Sequence, residues 1–295
     1  MQTESRNTAR IDVQPSGQAC GALITGVDLS AELDARTIHA IRAAWMQHHV
    51  IAFEQQQLND DDLVRITRYF GALGQEPFFG TIDGNDHVVA LTRLANEKAP
   101  LFAENWHSDW SFLEHPPVGT LLYSLVIPPV GGNTGFINQQ LALAHMPQAL
   151  RDRLQNKIAL HSAAAAYAPD GMYGDKESEA DRSMKIRFSE EARDVRAHPL
   201  ILRHPENQRD TLLGCVGYIC GIEGLEEAEA FELLFELYEW QTREEFQYIH
   251  QWQPDMLVMW DNRSVLHRAF GGYEGYDRIL HRTTIAPDPS KFLQA

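Results

Sequence analysis

A mainly β core flanked by helices is the fold class that this 295-residue sequence predicts. From about residue 86 the chain breaks into short apolar, β-rich pieces divided by proline and glycine, such as "HVVALTRL", "VGTLLYSLVIPP" and "NTGFIN". The C-terminal stretch repeats that texture in "FQYIHQWQPDMLVMWDNRSVLHRAF" and "RILHRTTIAP". Helical periodicity is confined to a few segments between these pieces.

In chain order, "ARIDVQP" and "CGALITGVDLS" read as strands joined by a glycine turn. "SAELDARTIHAIRAAWMQHH" has helical spacing, with Ile38, Ile41, Ala44 and Trp45 on one face and Ser30 as its cap. A short strand, "VIAFE", precedes a capped helix in "NDDDLVRITRYFGALG" that glycine closes. After the β-rich pieces, "QQLALAHMPQALRDRLQN" reads as one helix. The segment from about 164 to 196 is small, polar and charged without periodicity, the character of a lid or binding loop. "HPLILRHP" and "DTLLGCVGYICGIEG" are strand candidates, and "LEEAEAFELLFELYEWQTR" is an amphipathic helix with Phe231, Leu234, Leu237 and Tyr238 on one side. No internal repeat and no linker divides the chain, so one domain over 1–295 is expected, with strands distant in sequence pairing in its core.

Composition narrows the partners. With 41 acidic against 25 basic residues, the formal charge of −16 disfavours nucleic acid and anionic membranes, which need a basic face. No run of about 18 apolar residues suggests a membrane span, and the N-terminal stretch has no signal-peptide core. Cys20, Cys215 and Cys220 are too few and too scattered for a disulfide framework. A cytoplasmic protein with a small-molecule partner is the expectation.

Chemistry concentrates in two places. "AENWHSDWSFLEHPP" puts His107 and Asp109 two residues apart in a run that reads as a buried strand, where such residues share a face. The His204-Pro205-Glu206 triplet shows how easily an acid falls near a histidine by chance, and its turn-like setting, "RHPENQRD", reads as a solvated loop. A metal needs a third ligand, and His267 ends another apolar strand after a "WDN" turn. Two histidines and one carboxylate on one face leave open positions, as suits non-haem Fe(II) oxygenases. Arg278 and Arg282 stand four residues apart in "YDRILHRTTI" and so point the same way on a strand. Two guanidiniums aimed into a β core are costly unless they meet anions, and their planar forks fit carboxylates.

Together "WHSDWSFLEHPP", "PPVGGNTGF" and "WDNRSVLHRAF…YDRILHRTTI" resemble the Fe(II)/2-oxoglutarate-dependent dioxygenases of the taurine dioxygenase and aryloxyalkanoate dioxygenase (TauD/TfdA) family. "GALITGVDLS", "RYFGALG" and "HPLILRHP" extend the likeness over most of the chain. The resemblance implies a double-stranded β-helix (jelly-roll) core with iron at one mouth. It implies His107, Asp109 and His267 as iron ligands, with no catalytic residue beyond the metal centre. Thr134 matches the threonine that hydrogen-bonds the 2-oxoglutarate carboxylate, and Arg278 the arginine that pairs with its distal carboxylate. Arg282 matches a second arginine, which touches either the primary substrate or the cosubstrate. Activity would consume 2-oxoglutarate and O2, release succinate and CO2, and hydroxylate a small organic acid. Members of the family commonly form dimers or tetramers, so a homo-oligomer is expected.

The departures from the taurine enzymes concern the substrate. Glu76 and Phe79 stand about where a histidine and a tyrosine hold the sulfonate, Ala103 replaces an asparagine, and Trp110 is bulkier than the small residue often found there. Assigned to the substrate site, then, are Glu76, Phe79, Trp110 and Arg282. Glu76 would repel a sulfonate, while Phe78, Phe79 and Trp110 suit an apolar or aromatic body. Cys215 and Gly221 replace an asparagine and a basic residue and suggest a remodelled pocket wall. Trp106 and Phe112 read as core. The rival readings are a taurine, alkylsulfonate or sulfate-ester dioxygenase and, in another class, a non-catalytic jelly-roll metal-binding or sensor protein.

Overall fold

A computed structural model describes residues 11–174 and 182–288. Its first strands, β1 (Asp12–Pro15) and β2 (Ala22–Thr25), pair antiparallel across the expected turn. Residues 9 and 10 of the first expected strand, and 175–181 of the expected loop, lie outside the described residues. The next helix, α1 (Ala35–His48), is capped by Asp34, which accepts from the Thr37 amide. Ser30, the expected cap, bonds Asp28 instead, too far upstream to reach the first turn. β3 (Val50–Phe53) leads to α2 (Asp60–Phe70), where Asn59 and Asp62 cap reciprocally and Gly71 ends the helix.

Then come β4 (Val89–Arg93), β5 (Gly119–Val126) and β6 (Thr134–Asn138). The single helix expected next is two, α3 (Gln139–Ala144) and α4 (Gln148–Leu154). Pro147, between them, cannot donate an amide and its ring obstructs the preceding turn. β7 (Ile158–Ser162) precedes a segment that is more structured than its sequence suggests. It holds a helical turn, α5 (Ala164–Tyr167), and a 3₁₀ turn at Glu190–Arg193. Backbone bonds from Gly80 to Lys185 and from Arg187 to Phe78 tie it to residues 78–80. The chain continues through β8 (Val195–Pro199), β9 (Ile201–Arg203), β10 (Asp210–Leu212) and β11 (Ile219–Ile222). It ends with α6 (Glu227–Gln241), β12 (Gln247–His250), β13 (Leu257–Asp261), β14 (Val265–Ala269) and β15 (Arg278–Ile285).

One seven-stranded sheet has the order β1-β2-β3-β13-β5-β15-β4, and smaller sheets follow the orders β12-β6-β14, β11-β7-β8 and β10-β9. Sequence-distant strands do pair: β5 lies between β13 and β15. Leu122, Val258, Trp260 and Leu280 of the large sheet pack against Phe136, Tyr248 and Val265 of the β12-β6-β14 sheet, so these two sheets face each other. Helices α1 and α2 cover the other side of the large sheet through Ile41, Trp45, Leu63 and Phe70. Strand makes up about 28% and helix about 24% of the described residues, so the architecture is mixed sheets with helices. No described helix is long and apolar enough to cross a membrane.

On α6 the buried stripe is Ala230, Leu233, Leu234, Leu237 and Gln241. Phe231, expected inside, is 67% exposed and stacks on Phe235. It stands 100° round the helix from Ala230, and the packing partner chose the smaller residue.

Candidate active site

The stretch carrying His107 and Asp109 is not a regular strand. Ala103 and Trp110 have positive φ, 58° and 48°, which breaks the alternation expected there. A bulky residue in that region stores strain that its surroundings must hold. For Trp110 they are Glu76, which accepts its indole N–H at 3.0 Å, and a cage of Phe78, Phe79 and Tyr167. Only His107 pairs in the manner of a strand, exchanging backbone bonds of 3.0 and 2.8 Å with His267 on β14. That reciprocal pair brings together residues from opposite ends of the chain. Trp106 and Phe112 are buried, as expected of core.

His107, Asp109 and His267 each offer a ligand atom, all within 4.8 Å of one another. Asp109 Oδ1 lies 3.9 Å from His107 Nε2 and 3.5 Å from His267 Nε2. His107 Nδ1 is 2.8 Å from the Asn105 carbonyl, which can only accept, so the proton sits on Nδ1 and Nε2 keeps a free lone pair. Asp109 Oδ2 accepts from Thr120 at 2.6 Å; Thr120 accepts from Asn262, and Asn262 from Trp260. Burial, reinforced by His267, pushes His107 down to about 3. Burial works against the charge on Asp109, yet Arg282 and both histidines hold its carboxyl well below the usual range. His107 and Asp109 therefore stand deprotonated, as metal ligands must.

His204, expected in a solvated loop, is fully buried and sits 2.9 Å from Asp261 Oδ2. Arg263 closes on the same carboxylate from Nε and Nη2, at 2.9 and 2.7 Å. This buried triad braces the turn that launches β14, and with it His267.

Arg278 and Arg282 point the same way from β15, both buried and both facing the cavity that the three ligands line. Arg278 donates from Nε to the Gly132 carbonyl at 3.2 Å and lies 6.0 Å from the rings of Trp252 and Tyr273. Among the described residues no carboxylate lies within ion-pair distance of it, and burial lowers its pKa. Thr134 opens β6 on the same cavity, and its hydroxyl accepts from Trp252 Nε1 at 2.9 Å.

Arg282 places Nη1 3.2 Å from Asp109 and Nε 3.3 Å from Glu76, between the rings of Phe79 and Trp110. Its Nη2 is buried and has no hydrogen-bond partner. Phe79, Ala103 and Trp110 line the cavity. Glu76 does not: Trp110 and Arg282 take up its carboxylate behind the wall, and burial raises its pKa. Cys215 also turns away, its thiol directed at the Trp106 carbonyl, and Gly221 lies on β11 opposite Leu160. Sequence reasoning missed Tyr167, which is buried, and Tyr218, which is half-buried, two phenols bonded to each other at the cavity wall. It also missed Trp252. Nothing local marks these three, because each gains its place from a contact far along the chain.

Residues 12–284 match the profile of the family described as "Taurine catabolism dioxygenase TauD, TfdA family". The chain is 32% identical to an alkylsulfatase from Acinetobacter baylyi, over 90% of this chain and 82% of that protein. It is 28% identical to a (S)-phenoxypropionate/α-ketoglutarate dioxygenase from Delftia acidovorans, over 95% and 96%. A crystal structure of a putative α-ketoglutarate-dependent taurine dioxygenase from Burkholderia xenovorans superposes with a TM-score of 0.78 at 29% identity, covering 96% of each chain.

Proposed function

Because the chain belongs to the taurine catabolism dioxygenase (TauD, TfdA) family and is an Fe(II)- and 2-oxoglutarate-dependent dioxygenase, we propose that it hydroxylates a small organic carboxylate with an aromatic or apolar body. The observation that carries the reading is Arg278, a buried guanidinium without an acidic partner among the described residues, facing the cavity of the three-ligand group. A mere metal binder would have no use for it, which speaks against the sensor alternative. Such a cation fits the distal carboxylate of 2-oxoglutarate, with the Thr134 hydroxyl beside it.

His107, Asp109 and His267 would hold the iron, their donor set of two imidazoles and one carboxylate fitting Fe(II) with positions left open. When bound, the metal and 2-oxoglutarate supply the oxidising chemistry, with O2 consumed and succinate and CO2 released. The chain's own residues do the placing. Thr120 orients the Asp109 carboxylate, Asn105 sets the His107 tautomer, and Phe79, Trp110 and Tyr167 keep the cavity apolar. Asp109 would also take the coordination position that a halide needs, which supports hydroxylation.

Arg282 Nη2 supports an anionic group on the primary substrate, since it lacks a partner in a buried position. Sulfate esters and sulfonates are the second reading, favoured by the alkylsulfatase and taurine dioxygenase relatives. Glu76 offsets part of the charge of Arg282 and so favours a singly charged, weakly hydrogen-bonded anion on an apolar body, which the walls Phe79 and Trp110 suit. The facing sheets support a double-stranded β-helix core, and the contacts of residues 185–187 with 78–80 support a lid over about 164–196 within one domain. Free thiols support a cytoplasmic setting, and a homo-oligomer remains part of the reading, to be checked by light scattering.

Anaerobic addition of Fe(II) and 2-oxoglutarate should give a visible charge-transfer band at about 500 nm, as keto-acid chelation of an N/O-ligated iron produces. Its absence in wild type, or its persistence in His107→Ala, overturns the site. Succinate release is then screened across carboxylates, sulfonates, sulfate esters and amino acids. Taurine or a sulfate ester outpacing every carboxylate overturns the substrate class.

A further inference from the structure

We propose that Trp252 is a positioning residue for the cosubstrate anchor, orienting Thr134 through its indole N–H and Arg278 through its ring. The inference rests on the reading of Thr134 and Arg278 as the 2-oxoglutarate anchor. A threonine hydroxyl has one proton and two lone pairs, whereas an indole N–H can only donate. At 2.9 Å from Trp252 Nε1, the Thr134 oxygen is therefore the acceptor, and its own proton is directed away from the indole. Among the described residues that proton has no protein acceptor, and the side chain borders the cavity. A threonine without such a neighbour tends to donate to a nearby backbone carbonyl. The indole removes that competition and leaves the proton for a carboxylate.

The same side chain serves the arginine. Trp252 and Tyr273 place their rings 6.0 Å from the Arg278 guanidinium, whose Nε is held by Gly132. Aromatic faces hold a guanidinium without neutralising it. The charge thus stays available for an incoming anion, which a carboxylate partner would prevent. Trp252 is itself fixed, 7% exposed, with the His250 ring edge-on at 4.7 Å. His250 in turn bonds Tyr248 at 2.9 Å. It sits in the connection between β12 and β13, where the two facing sheets meet, and its side chain reaches both anchor residues.

Trp252→Phe keeps most of the ring and deletes the N–H. Dissociation constants are read anaerobically on the Fe(II) protein from the visible band and by calorimetry, for 2-oxoglutarate and for 2-oxopentanoate, which lacks the distal carboxylate. The expected result is a 2-oxoglutarate constant weakened about five- to tenfold, in keeping with loss of one oriented hydrogen bond, and a 2-oxopentanoate constant nearly unchanged. In a Thr134→Val background the same change should add less than about twofold, since the two residues act as a unit. Equal weakening for both ligands, no weakening, or additivity with Thr134→Val would show Trp252 to be ordinary core. If Trp252→Phe melts far below wild type, Trp252→Tyr, which leaves a smaller void, is read by the same criteria. Failure of the underlying reading looks different: wild type itself would then not distinguish 2-oxoglutarate from 2-oxopentanoate.

Discussion

Replacing Arg278 with methionine should move stability and ligand affinity in unrelated ways. The side chain is 9% exposed and has no carboxylate partner among the described residues, only the Gly132 carbonyl and two aromatic faces. Losing the Gly132 bond costs about 1 kcal/mol. Removing an uncompensated buried cation returns several kcal/mol of desolvation energy, which loss of the two aromatic contacts largely offsets. The ligand-free variant should therefore unfold within about 1 kcal/mol of wild type. With 2-oxoglutarate present the balance reverses, because the distal carboxylate would enter a buried site without its partner. That costs about 3–5 kcal/mol, which at about 1.4 kcal/mol per tenfold weakens binding roughly 10²- to 4 × 10³-fold. A ligand at about 100 times the wild-type dissociation constant stabilises wild type by about 2.7 kcal/mol and the variant by almost nothing. Chemical denaturation of the Fe(II) protein under nitrogen, with and without 2-oxoglutarate, measures both quantities. A ligand-free loss beyond about 3 kcal/mol, the range of a broken buried pair, or affinity within a few-fold of wild type, would refute the assignment of Arg278 as an anchor.

Three further outcomes follow from the geometry. Glu76→Gln keeps an acceptor for Trp110 but removes one of the two carboxylates beside Arg282; KM for the best carboxylate substrate should fall several-fold, and a rise would mean that Glu76 helps binding. His161 is held down to about 3 by burial and by His198. Its neutral form is favoured by folding, so its contribution is fully present above the ordinary histidine range and is lost as pH falls from about 6.5 towards 3. Denaturation midpoints between pH 7.5 and 4.5 should therefore decline less steeply for His161→Gln, and parallel curves would contradict the shift. Gly131 has φ +67°, and an added Cβ would stand 2.4 Å from the Gly272 carbonyl. Gly131→Ala should cost about 2 kcal/mol or more and should weaken 2-oxoglutarate, because this turn carries the Gly132 carbonyl to Arg278; an unaltered melting temperature would rule this out.

What the sequence determined by itself is what local chemistry decides. The reciprocal Asn59–Asp62 cap, the Gly71 stop and the alternating strands come from interactions within a few residues, so their signals lie in short windows. The donor types were equally legible. His107, Asp109 and His267 are metal-ligating residues wherever they lie, and the four-residue spacing of Arg278 and Arg282 puts them on one face of any strand. Even the break at Pro147 was written locally, although the apolar spacing around it suggested continuity. Tertiary structure decided the rest, because it depends on which surfaces meet. Only the exchange of backbone bonds between His107 and His267 closes the ligand set, and it overrides the strand geometry that the His-x-Asp spacing suggested. The choice of Ala230 over Phe231 on α6 follows from the neighbouring surface, not from hydrophobicity. Glu76 reads as a pocket residue until Trp110 and Arg282 draw its carboxylate behind the wall. Trp252 carries no signal at all, since its role lies in touching Thr134 and Arg278, which are 144 positions apart (278 less 134). A contact of that span has no trace in local periodicity, because loop closure, not propensity, brings its partners together.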